Sequence, residues 1–239
     1  MMQYRTRQYK VADLIVDMAC SGQTLLEQGE PYLSNTGSHG DIALNINREK
    51  FEKNKAKHPE LSLNELEYIF TGFAFSHALL DYNGFCLHSS AVAIDNKAIL
   101  FSAPCGTGKS THAGLWQKHF GRDRVVIIND DKPAIRLIDD AFYVYGTPWS
   151  GKTGLNMNLK VPLQAVVFIE QAEKNHIRLL NNREAVQMLV YQSMRPNDDR
   201  EKLSRLLALI DALLKKIPVY KLGCTISIDA VRLVYETIL

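Results

Sequence analysis

The sequence predicts an α/β protein built around a β-sheet of mixed strand direction. Three observations carry this. Short apolar segments with β-branched residues recur from residue 85 to residue 222. They alternate with a few helical patterns, without the regular strand–helix–strand order of a parallel sheet. Two of them form a hairpin pattern that runs straight into a glycine-rich loop and a helix.

The elements follow in order. Residues 9–18 read as one alternating strand, 37–40 as a loop and 42–46 as a short strand. Ser62, with Glu65 three residues later, predicts a capping box and a helix running through Leu79. Asn83-Gly84 ends that pattern. Residues 85–94 and 97–102 are paired strands around an Asp95-Asn96 turn. A helix starts near Lys109 and runs to about His119. Residues 125–128 are a buried strand that ends in Asn129-Asp130-Asp131. Residues 134–138 and 142–145 form a meander, and 146–154 a Gly/Pro loop. Further strands fall at 165–170, 177–180 and 219–222. Helical periodicity covers 183–194 and 199–216, with Pro196-Asn197 between them and Asp198 or Asp199 as a cap. A last helix begins at Ser227 or Asp229. Two units are expected, a small N-terminal α+β cap over 1–84 and a core over 85–239. The apolar positions of 199–216 serve either the core or a subunit contact, so a homo-oligomer stays open.

Composition narrows the function classes. With 239 residues and 46% hydrophobic side chains, a substantial core can form. A net charge of +2, from 28 Lys and Arg against 26 Asp and Glu, predicts no nucleic-acid partner. The Lys50, Lys53, Lys55 and Lys57 run is diluted by Glu49, Glu52 and Glu60 and reads as a solvated helix face. Cys20, Cys86, Cys105 and Cys224 lie far apart and predict neither zinc site nor disulfide framework. The start lacks an apolar signal core, and no segment approaches the apolar run of about 18 residues that spans a bilayer. A cytoplasmic protein with reduced thiols and no membrane contact is the expectation.

The segment Ala103-Pro-Cys-Gly-Thr-Gly-Lys-Ser110 follows the pattern of a phosphate cradle, with Ala103 in place of its first glycine. Backbone amides of Cys105, Gly106, Thr107, Gly108, Lys109, Ser110 and Thr111 are expected to wrap a nucleotide phosphate. Ala103 requires that its position not need positive φ. Lys109 would bridge the β- and γ-phosphates, and Ser110 would place its hydroxyl on Mg²⁺. Asp130 and Asp131 end a strand some twenty residues later. They are candidates for a metal ligand and a general base. His88 lies on the strand beside the loop strand and could orient an acceptor or stabilise charge. Lys152, in the 146–154 loop, could close over the site. These residues predict an ATP- and Mg²⁺-dependent kinase that transfers the γ-phosphoryl group to a hydroxyl acceptor, either a serine of a protein or peptide or a small molecule. The alternatives are a carboxykinase-type lyase and a non-catalytic nucleotide-binding regulator.

Leu87-His-Ser-Ser-Ala-Val-Ala-Ile, Ile99-Leu-Phe-Ser-Ala-Pro-Cys-Gly-Thr-Gly-Lys-Ser-Thr and Ile127-Ile-Asn-Asp-Asp resemble the HPr kinase/phosphorylase family, and its small bacterial relatives in particular. The resemblance covers residues 85 to about 170. It implies the P-loop core shared with ATP-dependent phosphoenolpyruvate carboxykinase, with a hairpin feeding the loop. It also implies His88 as an active-site histidine, Lys109 and Ser110 as the loop pair, and Asp130 and Asp131 as base and metal neighbour. Thr111 stands where the bifunctional members carry a glutamate. The resemblance therefore implies neither HPr as acceptor nor a phosphorylase activity.

Overall fold

The computed structural model describes residues 5–35, 37, 39–45, 48–196 and 198–239. Strands β1 (Arg5–Val11) and β2 (Leu14–Cys20) pair antiparallel through Ala12 and Asp13, both left-handed at φ 53° and 62°. One strand was expected over 9–18, and the chain instead reverses at its middle. A two-residue turn keeps Tyr9, Val11, Val16 and Met18 on one buried face, so the alternation survives the reversal. Helix α1 (Gln23–Gly29), β3 (Leu33–Ser34) and β4 (Ile42–Leu44) follow, and the four strands are ordered β3-β1-β2-β4. Ile46 of the expected 42–46 strand lies outside the described residues, as do Ser38 and Asn197.

Helix α2 (Arg48–Lys57) is polar, with a Glu49–Lys53 ion pair on its surface. Helix α3 (Leu63–Leu79) starts on the predicted capping box, in which Ser62 and Glu65 bond each other's backbone amides. Left-handed Asn83, at φ 55°, stops the helical run after it.

The next stretch is β5 (Gly84–Cys86), β6 (Ser89–Ile94), β7 (Lys97–Ser102), α4 (Lys109–Phe120), β8 (Val125–Asn129), β9 (Ala134–Ile138) and β10 (Ala141–Tyr145). The chain then forms β11 (Lys160–Gln171), β12 (His176–Leu179), α5 (Asn182–Gln192), α6 (Arg200–Leu214), β13 (Val219–Cys224) and α7 (Ile228–Ile238). The expected 85–94 strand is divided: β5 pairs with β9, whereas β6 pairs with β7 and β8. His88 sits at the break, where its amide leaves the ladder and donates to Gln192 O at 2.9 Å.

The large sheet runs β5-β9-β10-β11-β7-β6-β8, with β13 also on β11 and β12 on β13. Strand β11 is parallel to β7 and β13, while the other pairs of this sheet are antiparallel. Alternation along β7 sends Ala98 and Leu100 into a core with α5 and α6, and Ile99 and Phe101 into a second core with α4 and α7. Leu206, Leu209, Ile210 and Leu213 of α6 belong to the first core. The glycine loop leaves the carboxyl end of β7, the edge on which its parallel neighbours also end. Among the described residues no helix is long and apolar enough to cross a membrane.

Candidate functional site

The hairpin fixes where the loop starts. Asp95 and Asn96 turn it with left-handed φ of 50° and 58°, and Ser89 pairs with Ser102 at its open end. His88 is therefore level with the first loop residue, and the Ser102 hydroxyl donates to His88 O at 2.8 Å. Ala103 is buried and does not adopt positive φ, so its methyl costs the loop nothing.

Gly106 and Gly108 are left-handed, at φ 81° and 112°, and a Cβ built on either would meet no atom within 4 Å. A side chain there would be strained and would occupy open space above the loop. Gly108 is also the N-cap of α4 and offers no side-chain acceptor to its first amides. By contrast, α3, α5, α6 and α7 are capped by Ser62, Asn181, Asp199 and Ser227. The first turn of α4 thus keeps backbone donors without helical partners. Thr107 closes the loop by donating to Pro104 O at 2.9 Å. Cys105 is exposed, as are Ser110 and Thr111. The Lys109 ammonium is buried and donates to Ala103 O at 2.9 Å and Pro104 O at 3.3 Å. Burial lowers its pKa, opposed by Cys105, Asp131 and Asp130.

Across from the loop, Asn129 ends β8 with its side chain. Its amide donates to Thr147 O at 2.9 Å, and its oxygen accepts from the amides of Asp131 at 3.0 Å and Lys132 at 2.8 Å. This Asx turn separates the two carboxylates. Asp130 is only 6% exposed; its Oδ1 accepts from the Ser90 hydroxyl, while Oδ2 is buried with no hydrogen-bond partner. Asp130 and Ser110 line the same cavity of about 360 Å³. Asp131 is turned elsewhere, with Oδ2 paired to Lys132 and Oδ1 3.5 Å from His88 Nε2. The other imidazole nitrogen, Nδ1, lies 3.1 Å from Gln192 Oε1. Burial, then Lys109, lowers the His88 pKa, while Gln192 and Asp131 oppose the shift and Lys132 adds to it.

The structure thus brings together the loop, Ser110, Asp130, Asp131 and His88. Lys152, the candidate in the 146–154 loop, lies next to Thr153, which lines the cavity shared by Ser110 and Asp130. It is exposed, and its charge acts on Glu65, whose carboxyl is held low first by Ser62 hydrogen bonds and then by Lys55 and Lys152. The 146–154 loop reaches the site at Thr147, whose hydroxyl donates to Lys132 O at 2.8 Å, at Thr153 on the cavity wall, and at Gly151. A Cβ on Gly151 would lie 2.9 Å from Asp131 Cβ, so only glycine fits that approach. Tyr68 and Gln28 hold this turn: the Gly151 amide donates to Tyr68 Oη at 2.8 Å, and the Gln28 amide donates to Gly151 O at 3.1 Å.

Ser90, Lys132, Gln192, Tyr68 and Gln28 were not picked out from sequence. The buried Ser89-Ser90 doublet inside an apolar strand was a usable signal, because a buried hydroxyl needs a partner. Gln192 is 104 positions from His88 and carried no such signal. Among the described residues no three His, Cys, Asp or Glu side chains converge as a metal site.

No curated protein matches this chain. Among solved structures, it is similar to the HPr(Ser) kinase/phosphatase from Coxiella burnetii, with a TM-score of 0.35 and 12% identity, over 64% of this chain and 95% of that one. The family model of the SynChlorMet cassette protein ScmC matches residues 73–229, more than half of the chain and all of the loop, Asp130, Asp131 and His88. The chain therefore belongs to the ScmC family.

Proposed function

We propose that this protein is an ATP- and Mg²⁺-dependent phosphotransferase acting on a hydroxyl acceptor, with a P-loop formed by residues 103–110. In this reading residues 85–239 carry the chemistry, and residues 1–84 form a cap whose Gln28 and Tyr68 brace the turn behind Asp131. One observation supports it above the others. An uncapped helix start with two open left-handed glycines shares its surroundings with a buried carboxylate oxygen that has no partner. An unpartnered buried carboxylate oxygen costs free energy unless a cation or donor completes it. Asp130 and Ser110 are hard oxygen donors on one cavity, a set that suits Mg²⁺ shared with phosphate oxygens and water. When bound, Mg²⁺-ATP supplies the phosphoryl group and partial neutralisation of its charge.

The protein's own part follows from its residues. Loop amides and the α4 N-terminus hold the phosphates. Lys109, released from Ala103 O and Pro104 O, moves its charge onto the transferring group. Ser90 fixes the Asp130 carboxylate, and Lys132 and His88 fix that of Asp131. The acceptor oxygen forms its bond to the γ-phosphorus as the bond to the β-phosphate oxygen breaks. Asp130 or Asp131 takes the hydroxyl proton, and ADP leaves.

The test is incubation with γ-labelled ATP, Mg²⁺ and a cell extract. Label on a molecule other than water, absent with Asp130→Asn, is the expected result. Oxaloacetate decarboxylation without label transfer would move the assignment to a lyase. Slow ATP loss without any labelled acceptor would move it to a regulator.

A further inference from the structure

The cavity shared by Ser110 and Asp130 extends away from the loop along one side of α4. Gly114, Gln117, Lys118 and Arg122 follow Ser110 on this side, with Ile127 and Leu155 among the residues that complete the walls. Its volume, about 360 Å³, lies in the range of small-molecule sites. Its two ends carry opposite charges. At one end is Asp130, 6% exposed, with an unpartnered Oδ2. At the other end are Lys118 and Arg122, and among the described residues neither has a carboxylate partner. Lys118 lies eight helix positions beyond Ser110, about 12 Å of rise, and a flexible lysine stem shortens the gap.

Gly114 gives a second, independent indication. Glycine inside a helix costs about 1 kcal/mol relative to alanine. No turn or close packing at Gly114 accounts for that cost, since a Cβ there would meet no atom within 4 Å. The missing side chain keeps the middle of the cavity open, between an apolar wall and the helix backbone.

We propose that this cavity is the acceptor subsite, and that it takes an elongated hydroxyl compound with an anionic group at the far end. The hydroxyl lies at the Asp130 end, the apolar body passes Gly114, Ile127 and Leu155, and the anion meets Lys118 and Arg122. This deepens the kinase reading and rests on it.

The test uses 6-hydroxyhexanoate as probe and hexane-1,6-diol as its neutral counterpart. Their binding to the full chain with Mg²⁺ and a non-hydrolysable ATP analogue is measured by calorimetry. The acid is expected to bind at least 10-fold tighter than the diol. Lys118→Ala with Arg122→Ala is expected to remove that difference and leave the affinity for the nucleotide analogue within 2-fold. Gly114→Leu is expected to abolish probe binding; circular dichroism and the thermal midpoint check that this variant folds. Equal binding of acid and diol, or an acid affinity unchanged in the Lys118/Arg122 variant, overturns the proposal. A parallel loss of nucleotide affinity in that variant also overturns it, because the cavity would then hold the nucleotide. If the wild-type chain does not bind the Mg²⁺-nucleotide at all, the kinase reading itself falls. If it binds the nucleotide but not the acid, only the acceptor inference falls.

Discussion

The two faces of α4 differ in what touches them. On the inner face, His112, Ala113 and Trp116 are buried. Trp116 Nε1 donates to His112 Nε2 at 3.2 Å, and the Trp116 ring lies 5.6 Å from that of Phe101 and 5.7 Å from that of Phe120. On the outer face, Ser110, Gly114 and Lys118 look onto open space. One face is close-packed and has no room for a ligand, and the other has room and little packing. A single helix therefore anchors the glycine loop to the core and leaves its chemistry accessible. Substitutions on the inner face should register in stability, and those at the loop and outer face in ligand binding or turnover.

Lys109→Ala is the largest expected effect on the open side. It removes the charge that would follow the transferring phosphoryl group, and transfer should fall by about 10³-fold or more, some 4 kcal/mol in the barrier. The thermal midpoint should move by only a few degrees, because the substitution removes no more than the hydrogen bonds to Ala103 O and Pro104 O. Unchanged turnover in a labelled-ATP assay would refute the assigned role.

On the closed side, Trp116→Ala should cost about 3–5 kcal/mol in urea unfolding, the usual loss for a fully buried aromatic. A cost below about 1 kcal/mol would mean that this face is not the anchor it is taken to be.

A smaller effect comes from His112. Burial pushes its pKa down to about 4, from an ordinary 6.5. The fold therefore favours neutral imidazole. That contribution is complete above pH 6.5 and is lost as the pH falls through 6.5 towards 4. The loss should reach about 3 kcal/mol at the acid end of that window. His112→Phe should flatten the curve of stability against pH between 7.5 and about 4, relative to wild type. Identical curves for the two proteins would show that another group sets the acid sensitivity.

The same contrast explains what could be read from the chain beforehand. Elements with local signals were legible. Asp95-Asn96 marks the turn of β6 and β7, Ser62 and Glu65 mark the start of α3, and the Gly106-Thr-Gly-Lys-Ser run marks the loop entering α4. Each depends on residues within a few positions of one another. The hairpin of β1 and β2 was not legible, because Ala12-Asp13 is a weak turn signal and both arms keep one alternation. The close approach of Gly151 to Asp131 was not legible either, because it joins two loops and leaves no local pattern.

By itself, then, the sequence determined the mixed α/β class, the strand–loop–helix order and which residues are candidates for phosphate and metal chemistry. These depend on period, turn chemistry and side-chain type, all of which are local. Only the tertiary structure decided that Ser90 and Asp130 meet across 40 positions, that His88 reaches Gln192, and that Asp130 shares a cavity with Lys118 and Arg122. Such meetings depend on strand order and helix docking, which bring distant parts of the chain to one sheet edge. No short-range pattern encodes that geometry.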